Sequence, residues 1–500
     1  MGDIVQSAIL LKNIKKFFPD SEITYLLLDN FKKTSQLIPE IDKVIAIDFS
    51  MILQEIDSLN FGKALSNIDT LLCQLTEEYD EAVNLSFSKL SAYILHFVKA
   101  KKKRGLLFSK QSEFLAYDEW SRFFLAIVEH RHLSPFNLVD IYKKIGLGDC
   151  DSACASYTNC HTRENVSSPV FGFVLGASTY DRQWPPESFA ELAKLIIKNY
   201  PLSKVFLLGT KEEKLLSDKF FAHINSNINI IDCVGKTSLS ELYDLIDKIN
   251  ILVTNDTGTM HLGWFRGKKV VELSLGPALY NTTGPYGNGH IVFQPDIECA
   301  PCNYTTKCKN LKCHTVVTPD AVFSAIRFIN CESDNIKSYP NIKILESYFD
   351  ERGFVSYKKI SKDNDNDKIN YNSFKNIWIN TLEKCLKKNN KYINKKKIRD
   401  NVQILLSNIT ALNKLVHSVV ELIDVGNKNT IEKEVQTILE FERYLREHIY
   451  SNLPEFIPFW KYLEYTKNLL PDNDLKNNLS SLKELYEIFY IQILNAEEEL

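Results

Sequence analysis

The sequence predicts an α/β protein built from two Rossmann-like parallel-sheet domains in tandem, followed by an α-helical extension. Up to about residue 330, short apolar runs alternate with helical patterns, which is typical of parallel sheets covered by helices. Small and hydroxylic residues follow several of these runs. Of the 18 glycines, only Gly353 and Gly426 lie beyond residue 331, where long helical patterns begin, and this predicts the change to a helical region.

Composition excludes several classes of protein. The 500 residues carry 60 Lys and Arg against 63 Asp and Glu, so the chain is not a polycation built for nucleic acid. No apolar run reaches the ~18 residues of a membrane-spanning helix, and Asp3 and Lys12 argue against a signal peptide. We therefore expect a cytoplasmic protein, with peripheral contact at the inner face of the membrane as one option. The 11 cysteines indicate thiols or a metal site.

We divide the chain into three regions. Residues 1–165 form the first α/β domain, with strands expected at 23–28, 44–47 and 82–85. Residues 166–330 form the second α/β domain. Residues 331–500 form the helical extension, in which the segment 361–372 ("SKDNDNDKINYN") is a polar linker. The chain begins with a helix at Gly2 that leads into a strand, which is the back half of a βαβ unit, and the first strand is missing.

The stretch "ILVTNDTGTMHLGWF" contains the clearest candidate site. An apolar strand ends at Asp256, Thr257 and Gly258 form a tight loop, and a helix that contains His261 begins. Free backbone N–H groups at the start of a helix bind anions, and glycine lets a ligand come close. We expect a diphosphate site here. The alternative is an ordinary βα loop capped by Asp256.

A second strand-end loop, "GASTYDRQWP", contains Ser178, Thr179 and Arg182. The guanidinium group of an arginine can pair with a phosphate through two parallel hydrogen bonds. The alternative is a surface arginine stacked on Trp184.

Two further loops complete the predicted array. In "LLGTKEE", Gly209 and Glu212 follow a strand, where a carboxylate can hold a ribose hydroxyl, or can be a helix N-terminal charge. In "VGKTSLSEL", Thr237 lies in a loop before the predicted N-cap Ser238. The glycine spacing excludes a Walker loop.

Together these loops resemble glycosyltransferase family 9, the heptosyltransferases of lipopolysaccharide core synthesis. The resemblance covers about residues 1–330 and is carried by "MGDIVQSAILLKNIKKFFPDSEI", "GASTYDRQWPPESFAELAKLI", "VFLLGTKEE", "VGKTSLSELYDLI", "NDTGTMHL" and "TGPYGNGHIV…CAPC". It implies the GT-B fold, with the acceptor on the first domain and the nucleotide sugar on the second, facing across a cleft. It implies donor contacts at Ser178, Thr179, Arg182, Gly209, Glu212, Thr237, Asp256, Thr257, Gly258 and His261.

The same resemblance places the catalytic base at Asp3. An inverting transferase needs a base for the proton of the attacking hydroxyl, although Asp3 could instead be an N-cap of the first helix. The family has a strand before this turn, so we expect the true start to lie upstream of Met1, because an absent central strand leaves ladder groups unpaired. The family uses no catalytic Mg²⁺, and the sequence has no Asp-x-Asp metal motif.

Four cysteines follow in "CAPCNYTTKCKNLKCH": Cys299, Cys302, Cys308 and Cys313. Four thiols at this spacing can close a tetrahedral site, so we expect a structural zinc or iron ion, with four reduced loop thiols as the alternative. Some protein-modifying members of the family hold iron there. Four thiolates would leave no open position for catalysis.

Three functions remain open from the sequence. The leading hypothesis is a metal-independent, inverting transferase that moves a heptose or similar sugar from an ADP-sugar to a lipopolysaccharide core acceptor. A second keeps the fold and takes a protein as acceptor. A third is a catalytically silent scaffold whose helical extension binds partners or forms an oligomer.

Overall fold

The computed structural model describes the chain between Met1 and Glu499 with gaps. The residues outside the description are 109–113, 117, 129, 149–164, 225–228, 304–305, 307, 361–374, 376–377, 380–381, 383–399, 426–427, 454–455 and 468–474. The predicted polar linker at 361–372 lies outside the described residues.

The described residues form two compact units that do not follow chain order. The first unit contains Met1–Thr76 and Phe136–Asp365, and the second contains Glu77–Pro135 and Asn366–Leu500. The predicted boundaries near residues 165 and 330 do not coincide with these units, because segments distant in sequence share a core. The division into three consecutive domains, 1–165, 166–330 and 331–500, stays a prediction.

The first unit is organised around an eight-stranded sheet. Its strands in chain order are β7 (Phe171–Val174), β8 (Val205–Leu208), β9 (Ile230–Asp232), β10 (Ile251–Asn255), β11 (Lys269–Leu273), β12 (Ile291–Pro295), β13 (Ile342–Phe349) and β14 (Val355–Lys359). Their spatial order is β14-β13-β12-β11-β10-β7-β8-β9. Six neighbouring strands, β12-β11-β10-β7-β8-β9, are parallel. β13 pairs with β12 in antiparallel fashion, and β14 pairs with β13 in the same way. The parallel sheet predicted from the apolar runs is confirmed.

Helices connect and cover these strands. They are α7 (Leu138–Leu147), α8 (Pro186–Asn199), α9 (Lys214–Ala222), α10 (Leu239–Asp247), α11 (Gly258–Phe265), α12 (Tyr280–Thr283), α13 (Lys312–Val316) and α14 (Pro319–Ile329). Proline begins α8 and α14, where its missing N–H costs nothing. A large apolar core joins α8 and α14 to alternate residues of the sheet, for example Phe173, Val253 and Val271.

The first 76 residues belong to this same unit. They form α1 (Gly2–Phe17), β1 (Thr24–Leu28), α2 (Lys32–Ser35), β2 (Lys43–Ile47), α3 (Phe49–Asp57) and α4 (Phe61–Cys73), with β1 and β2 paired in parallel. The helix α1 buries Val5, Ala8 and Ile9 in a core that also contains Met260 and Trp264 of α11. This packing brings the first turn of α1 to the start of α11.

The second unit combines an early segment of the chain with its end. Its elements are β3 (Glu78–Asn84), α5 (Lys89–Phe97), β4 (Lys99–Gly105), β5 (Leu107–Phe108), β6 (Phe114–Leu115), α6 (Glu119–Ile127), α15 (Asp400–Val425), α16 (Lys428–Asn452), α17 (Ile457–Lys467) and α18 (Leu475–Glu499). β3 and β4 are parallel. The helices α15, α16 and α18 pack together, and α17 packs on α6.

The predicted elements compare closely with the observed ones. The strands expected at 23–28, 44–47 and 82–85 correspond to β1, β2 and β3, and the helical extension is present. From the sequence we expect all three strands to be buried, whereas β3 is largely exposed because only Asn84 of its residues is buried. The sheet also runs beyond residue 330, because β13 and β14 add an antiparallel edge in a segment that the sequence assigned to the helical region. Within the described parts of the chain, no helix combines the length and apolar character needed to cross a bilayer.

Candidate functional site

The amino ends of two helices meet at the carboxyl edge of the large sheet. A Cβ atom added to Gly258, the first residue of α11, would lie 2.7 Å from Cε of Met1 and 3.4 Å from the backbone nitrogen of Gly2. A Cβ atom added to Gly2 would lie 2.9 Å from Cδ2 of His261. Gly2 has no room for a side chain because the His261 ring is buried, whereas at Gly258 the flexible end of Met1 could move aside. The positive ends of two helix dipoles converge here, which favours an anion.

Asp3 and Asp256 belong to this meeting point. Asp3 is exposed in the first turn of α1, whose N-cap is Met1, so the interpretation of Asp3 as an N-cap is wrong. Asp256 is only 8% exposed. Burial raises the pKa of Asp256, and the negative charge of Asp3 raises it further, while Arg182 lowers it. The two carboxyl groups are thus close enough to influence one another.

Arg182 joins the loop after β7 to the loop after β10. Its Nη1 donates to Oδ2 of Asp256 at 3.3 Å. Trp184, the proposed stacking partner in the alternative interpretation, is fully buried and donates from its indole to the carbonyl of Val317. The carboxylate holds the guanidinium group near the start of a helix, where it can also form hydrogen bonds to a phosphate.

Asn255, which the sequence analysis did not single out, locks the same two loops together. Its side chain is fully buried and donates to the carbonyls of Val174, Leu175 and Gly176 at 3.0–3.2 Å. The side-chain oxygen Oδ1 of Asn255 accepts from the backbone N–H of Trp184 at 2.9 Å. An asparagine at the end of an apolar strand, next to an aspartate, was the available signal for this role. It fixes the backbone that carries the predicted phosphate contacts.

Thr257 caps α11, since its hydroxyl accepts from the backbone N–H of Met260 at 3.3 Å. The cap predicted for Asp256 in the alternative interpretation is therefore wrong, and the Asp256 carboxyl group is left to face Arg182. Ser178 and Thr179 are exposed in the loop that ends at Arg182. The backbone N–H of Arg182 donates to the carbonyl of Thr179 at 3.2 Å, which shapes this loop.

His261 is a buried neutral imidazole at this site. Burial, and then the positive amino group of Met1, lower its pKa to about 3. Its Nδ1 accepts a hydrogen bond from the indole N–H of Trp264 at 3.2 Å. The remaining proton is therefore on Nε2, which faces the first turn of α1. The site can offer this N–H as a donor without carrying a second positive charge.

The predicted nucleoside loops lie side by side at the ends of β8 and β9. The backbone N–H of Gly235 donates to the carbonyl of Gly209 at 2.9 Å. Glu212 is exposed, whereas the carboxylate of Glu213 lies where a Cβ atom of Gly176 or Gly209 would be. Glu213 also accepts from the backbone N–H of Thr210 at 2.7 Å. Glu213 forms a capping box with Thr210, and the nucleoside contact expected at Glu212 stays a prediction.

Thr237 lies in the loop before α10 and is partly buried. Ser238 is the N-cap of α10 as predicted, in a capping box with Glu241.

A further carboxyl group lies beside Asp256. Glu272 on β11 stands opposite Thr254 on β10 in the parallel register and is completely buried. Burial raises its pKa well above the ordinary range and the charge of Asp256 raises it further, while the Ser274 hydroxyl and the charge of Arg182 lower it. Among the described residues, neither carboxyl oxygen has a hydrogen-bond partner, and neither does the hydroxyl of Ser274. A lone acid in an apolar strand gave no sequence signal for this position.

The four predicted metal ligands are free thiols in one segment. Burial raises the pKa of Cys302 to about 11, and the neighbouring Cys313, Cys308 and Cys299 contribute to the increase. Four thiols suit zinc or iron by chemistry. Across the part of the chain that the structure describes, however, no three Cys, His, Asp or Glu side chains are arranged to hold a metal ion. The donor chemistry fits but the arrangement does not, and the metal stays a prediction.

The site combines features that suit one kind of ligand. Two helix amino ends, an arginine and a neutral histidine N–H can balance a diphosphate in a partly buried place. Asp3 is an exposed carboxylate at the margin of this place and can accept a proton.

Comparison with known proteins points the same way. The family model for glycosyltransferase family 9 (heptosyltransferase) matches residues 70–314. The chain is 23% identical over 311 residues to lipooligosaccharide heptosyltransferase 2 of Haemophilus ducreyi, covering 59% of this chain and 86% of the relative. It is 25% identical over 334 residues to lipooligosaccharide heptosyltransferase 2 of Campylobacter jejuni, covering 64% and 93%.

Among solved structures, a family 9 glycosyltransferase from Veillonella parvula is 20% identical, with a TM-score of 0.49 over 67% of this chain and 95% of that one. The family model and the two relatives show that the chain is similar to glycosyltransferase family 9 and to its heptosyltransferases, and they support a glycosyltransferase enzyme.

Proposed function

We propose that the protein transfers a heptose, or a sugar similar to it, from an ADP-sugar to a lipopolysaccharide core acceptor with inversion at the anomeric carbon. The donor diphosphate binds between Arg182 and the start of α11 at Thr257 and Gly258. Asp3 is the general base. Glu212, Thr237 and the loop at Gly209 are the proposed nucleoside contacts, and Ser178 and Thr179 complete the phosphate contacts.

One observation carries this proposal. The first turn of α1, which holds Asp3, contacts the first turn of α11, which follows Asp256 and its ion pair with Arg182. The proposed base and the proposed anion site at Asp256, 253 residues apart in the sequence, thus lie close together in the same compact unit. The similarity to heptosyltransferases supplies the sugar and the acceptor class.

The chemistry follows from these positions. The acceptor oxygen attacks the anomeric carbon, the bond from that carbon to the diphosphate oxygen breaks, and the acceptor proton passes to the Asp3 carboxylate. Negative charge develops on the leaving diphosphate. Arg182, the amino ends of two helices and the Nε2–H of His261 stabilise that charge without a catalytic metal ion.

Calorimetric titration of the full chain with ADP-heptose, ADP-glucose, UDP-GlcNAc and GDP-mannose tests the donor assignment. We expect selective binding of ADP-heptose, weakened by Arg182→Ala and by Asp256→Ala. Preference for another donor would support a glycosyltransferase but contradict heptose as the transferred sugar. Binding of none of the four by the folded protein would favour the silent scaffold.

A second candidate keeps the donor and takes a protein as the acceptor. In the second unit, the helical extension shares a core with the segment 77–135, which the resemblance assigns to the acceptor domain. Tyr462 of α17 donates to Glu119 of α6, and Phe123 of α6 contacts Trp378, which stacks on Phe459. An extension built into the acceptor side favours a larger acceptor. Transfer of labelled heptose to protein and not to lipopolysaccharide would select this candidate.

The four-cysteine segment is proposed to hold a structural zinc or iron ion. Metal analysis of protein purified without chelators should give about one equivalent, lost in Cys302→Ser. A metal-free native protein with full stability would leave four thiols as the correct interpretation.

A further inference from the structure

Glu272 and Ser274 are the most anomalous buried polar side chains near the candidate site. Both are completely buried; Glu272 lies on β11 and Ser274 immediately follows the last residue of that strand. Within the described residues, Oε1 and Oε2 of Glu272 and Oγ of Ser274 make no hydrogen bond of normal geometry, although the Ser274 hydroxyl is near enough to the Glu272 carboxyl group to lower its pKa. A buried polar group without a partner costs stability, so a native protein that keeps two side by side needs a reason.

The position of this pair gives the reason. Glu272 stands opposite Thr254 in the register of β10 and β11, two residues before Asp256. The carboxyl groups of Glu272 and Asp256 act on each other electrostatically, and Arg182 acts on both. The unpartnered oxygens are therefore adjacent to the proposed diphosphate site. They lie at the carboxyl edge of the parallel sheet, where α/β proteins bind ligands.

We propose that Glu272, together with Ser274, binds hydroxyl groups of the sugar that the donor carries and so determines which sugar is transferred. This inference rests on the proposed function, because it needs the diphosphate to bind at Arg182. A carboxyl group with two open oxygens can hold two neighbouring hydroxyls, and a serine hydroxyl can donate to or accept from a third. A polyhydroxylated sugar next to the diphosphate supplies such groups.

The chemistry also explains why specificity would reside here. A buried site built to hydrogen-bond a hydroxyl rejects a ligand that lacks it, because the site's own polar groups then stay unpaired. Glu272 and Ser274 are in this unpaired condition without a ligand. A sugar with hydroxyls at the matching positions restores their hydrogen bonds, and a sugar without them does not.

The test compares the binding of ADP with that of ADP-heptose, measured by calorimetry on the full chain. In Glu272→Met, which removes the carboxyl group and keeps the volume, we expect ADP to bind as in the natural protein. ADP-heptose should bind about 10- to 100-fold more weakly, as expected for the loss of two hydrogen bonds. Ser274→Ala should weaken only ADP-heptose, by about 3- to 10-fold.

Stability provides the readout that separates this role from a structural one. Replacing an unpartnered buried carboxyl group with an apolar side chain should leave the midpoint of thermal unfolding unchanged or raise it. Asp140→Asn is the matched control, because Asp140 is equally buried but fully hydrogen-bonded. It should lower the unfolding midpoint and leave the ratio of ADP to ADP-heptose affinity unchanged.

The outcomes are distinct. Equal affinity of Glu272→Met and the natural protein for ADP-heptose would overturn the inference, while loss of ADP-heptose binding in Arg182→Ala would still support the proposed function. Loss of both ADP and ADP-heptose binding in Glu272→Met, with a lowered unfolding midpoint, would also overturn the inference, because it indicates a structural role. Failure of the natural protein to bind ADP and ADP-heptose would instead overturn the proposed function.

Discussion

Two buried carboxyl groups in the first unit, those of Asp140 and Glu272, differ in their hydrogen bonding. Asp140 on α7 accepts from the Tyr286 hydroxyl at 2.8 Å, from the backbone N–H of Val355 at 2.9 Å and from Lys143 at 3.0 Å. Glu272 on β11 is just as buried and, among the described residues, its oxygens have no hydrogen-bond partner. The first group connects a helix to the loop before β12 and to the start of β14. The second lies beside the proposed diphosphate site.

The difference separates structure from function in physical terms. Removing a buried charge that makes all its hydrogen bonds strongly lowers the stability of a protein, because its charged partner then stays buried without a counter-charge. A buried carboxyl group with no partner costs stability as it stands, and its presence points to a ligand that completes it. The predictions that follow test this contrast from its strongest expected effect to its weakest.

Removing the satisfied group should have the largest effect on stability. Asp140→Ala leaves the ammonium group of Lys143 buried without its counter-ion, so we expect a loss of about 3–5 kcal/mol in the free energy of unfolding. Urea unfolding followed by circular dichroism measures it. Asp140→Asn, which keeps the shape, should lose less. A loss below about 1 kcal/mol for Asp140→Ala would remove the distinction between the two carboxyl groups.

Arg182 is next in expected size. Arg182→Ala removes the cation proposed for the diphosphate, and ADP should bind about 10- to 100-fold more weakly. Arg182→Lys keeps the charge and loses the planar double hydrogen bond, so its effect should be intermediate. Calorimetry with ADP measures both variants. Unchanged ADP affinity in Arg182→Ala would place the diphosphate elsewhere.

The weakest effect is a pH dependence of stability. The pKa of Glu272 is raised in the folded state, chiefly by burial, so between its ordinary value and the raised one the folded state binds more protons than the unfolded state. Its contribution to stability is therefore complete at low pH and is lost as pH rises through the folded pKa. Asp256, Arg182 and Tyr357 are the ionisable groups that act on it or respond to it.

Glu272→Gln cannot lose a proton and should escape this loss. Its free energy of unfolding, relative to the natural protein, should rise with pH above about 4.5, by at most ~1.4 kcal/mol per pH unit. The pH dependence of stability due to His261 has the opposite direction, because its lowered pKa reduces stability as pH falls from about 6.5 toward 3. Both proteins contain His261, so this effect cancels in the comparison. Parallel stability curves for the two proteins would contradict a raised pKa at Glu272.

The sequence predicted the elements of the sheet well, for a clear reason. Strands buried on both faces, such as β7 and β10, are continuous apolar runs, and polar loops mark their ends. The edge strands β13 and β14 were missed because they combine apolar residues with Lys343, Glu346 and Lys358, which resemble a surface helix. The joining of α6 to α17 was unpredictable, since the contact between Glu119 and Tyr462 spans 343 positions.

The candidate site divides in the same way. Loop residues such as Arg182 and Asp256 were predicted because glycines and hydroxylic residues surround them at strand ends, and their roles stay predictions. Asp3 was assigned through family resemblance, and its contact with α11 depends on how α1 packs. Glu272 was missed because only the register of β10 and β11 puts it beside Asp256. Local patterns predict phosphate loops, whereas side chains brought in by tertiary packing leave no local signal.

The central claim is that Asp3 is the base of a sugar transfer whose donor binds at Arg182 and Asp256. Its most direct test is the rate of heptose transfer by Asp3→Asn, measured with saturating ADP-heptose and lipopolysaccharide core acceptor. We predict that kcat falls by about 10²- to 10⁴-fold while the affinity for ADP-heptose stays within about twofold of the natural value. A kcat within about tenfold of the natural value would contradict the account, because the acceptor proton would then have another destination.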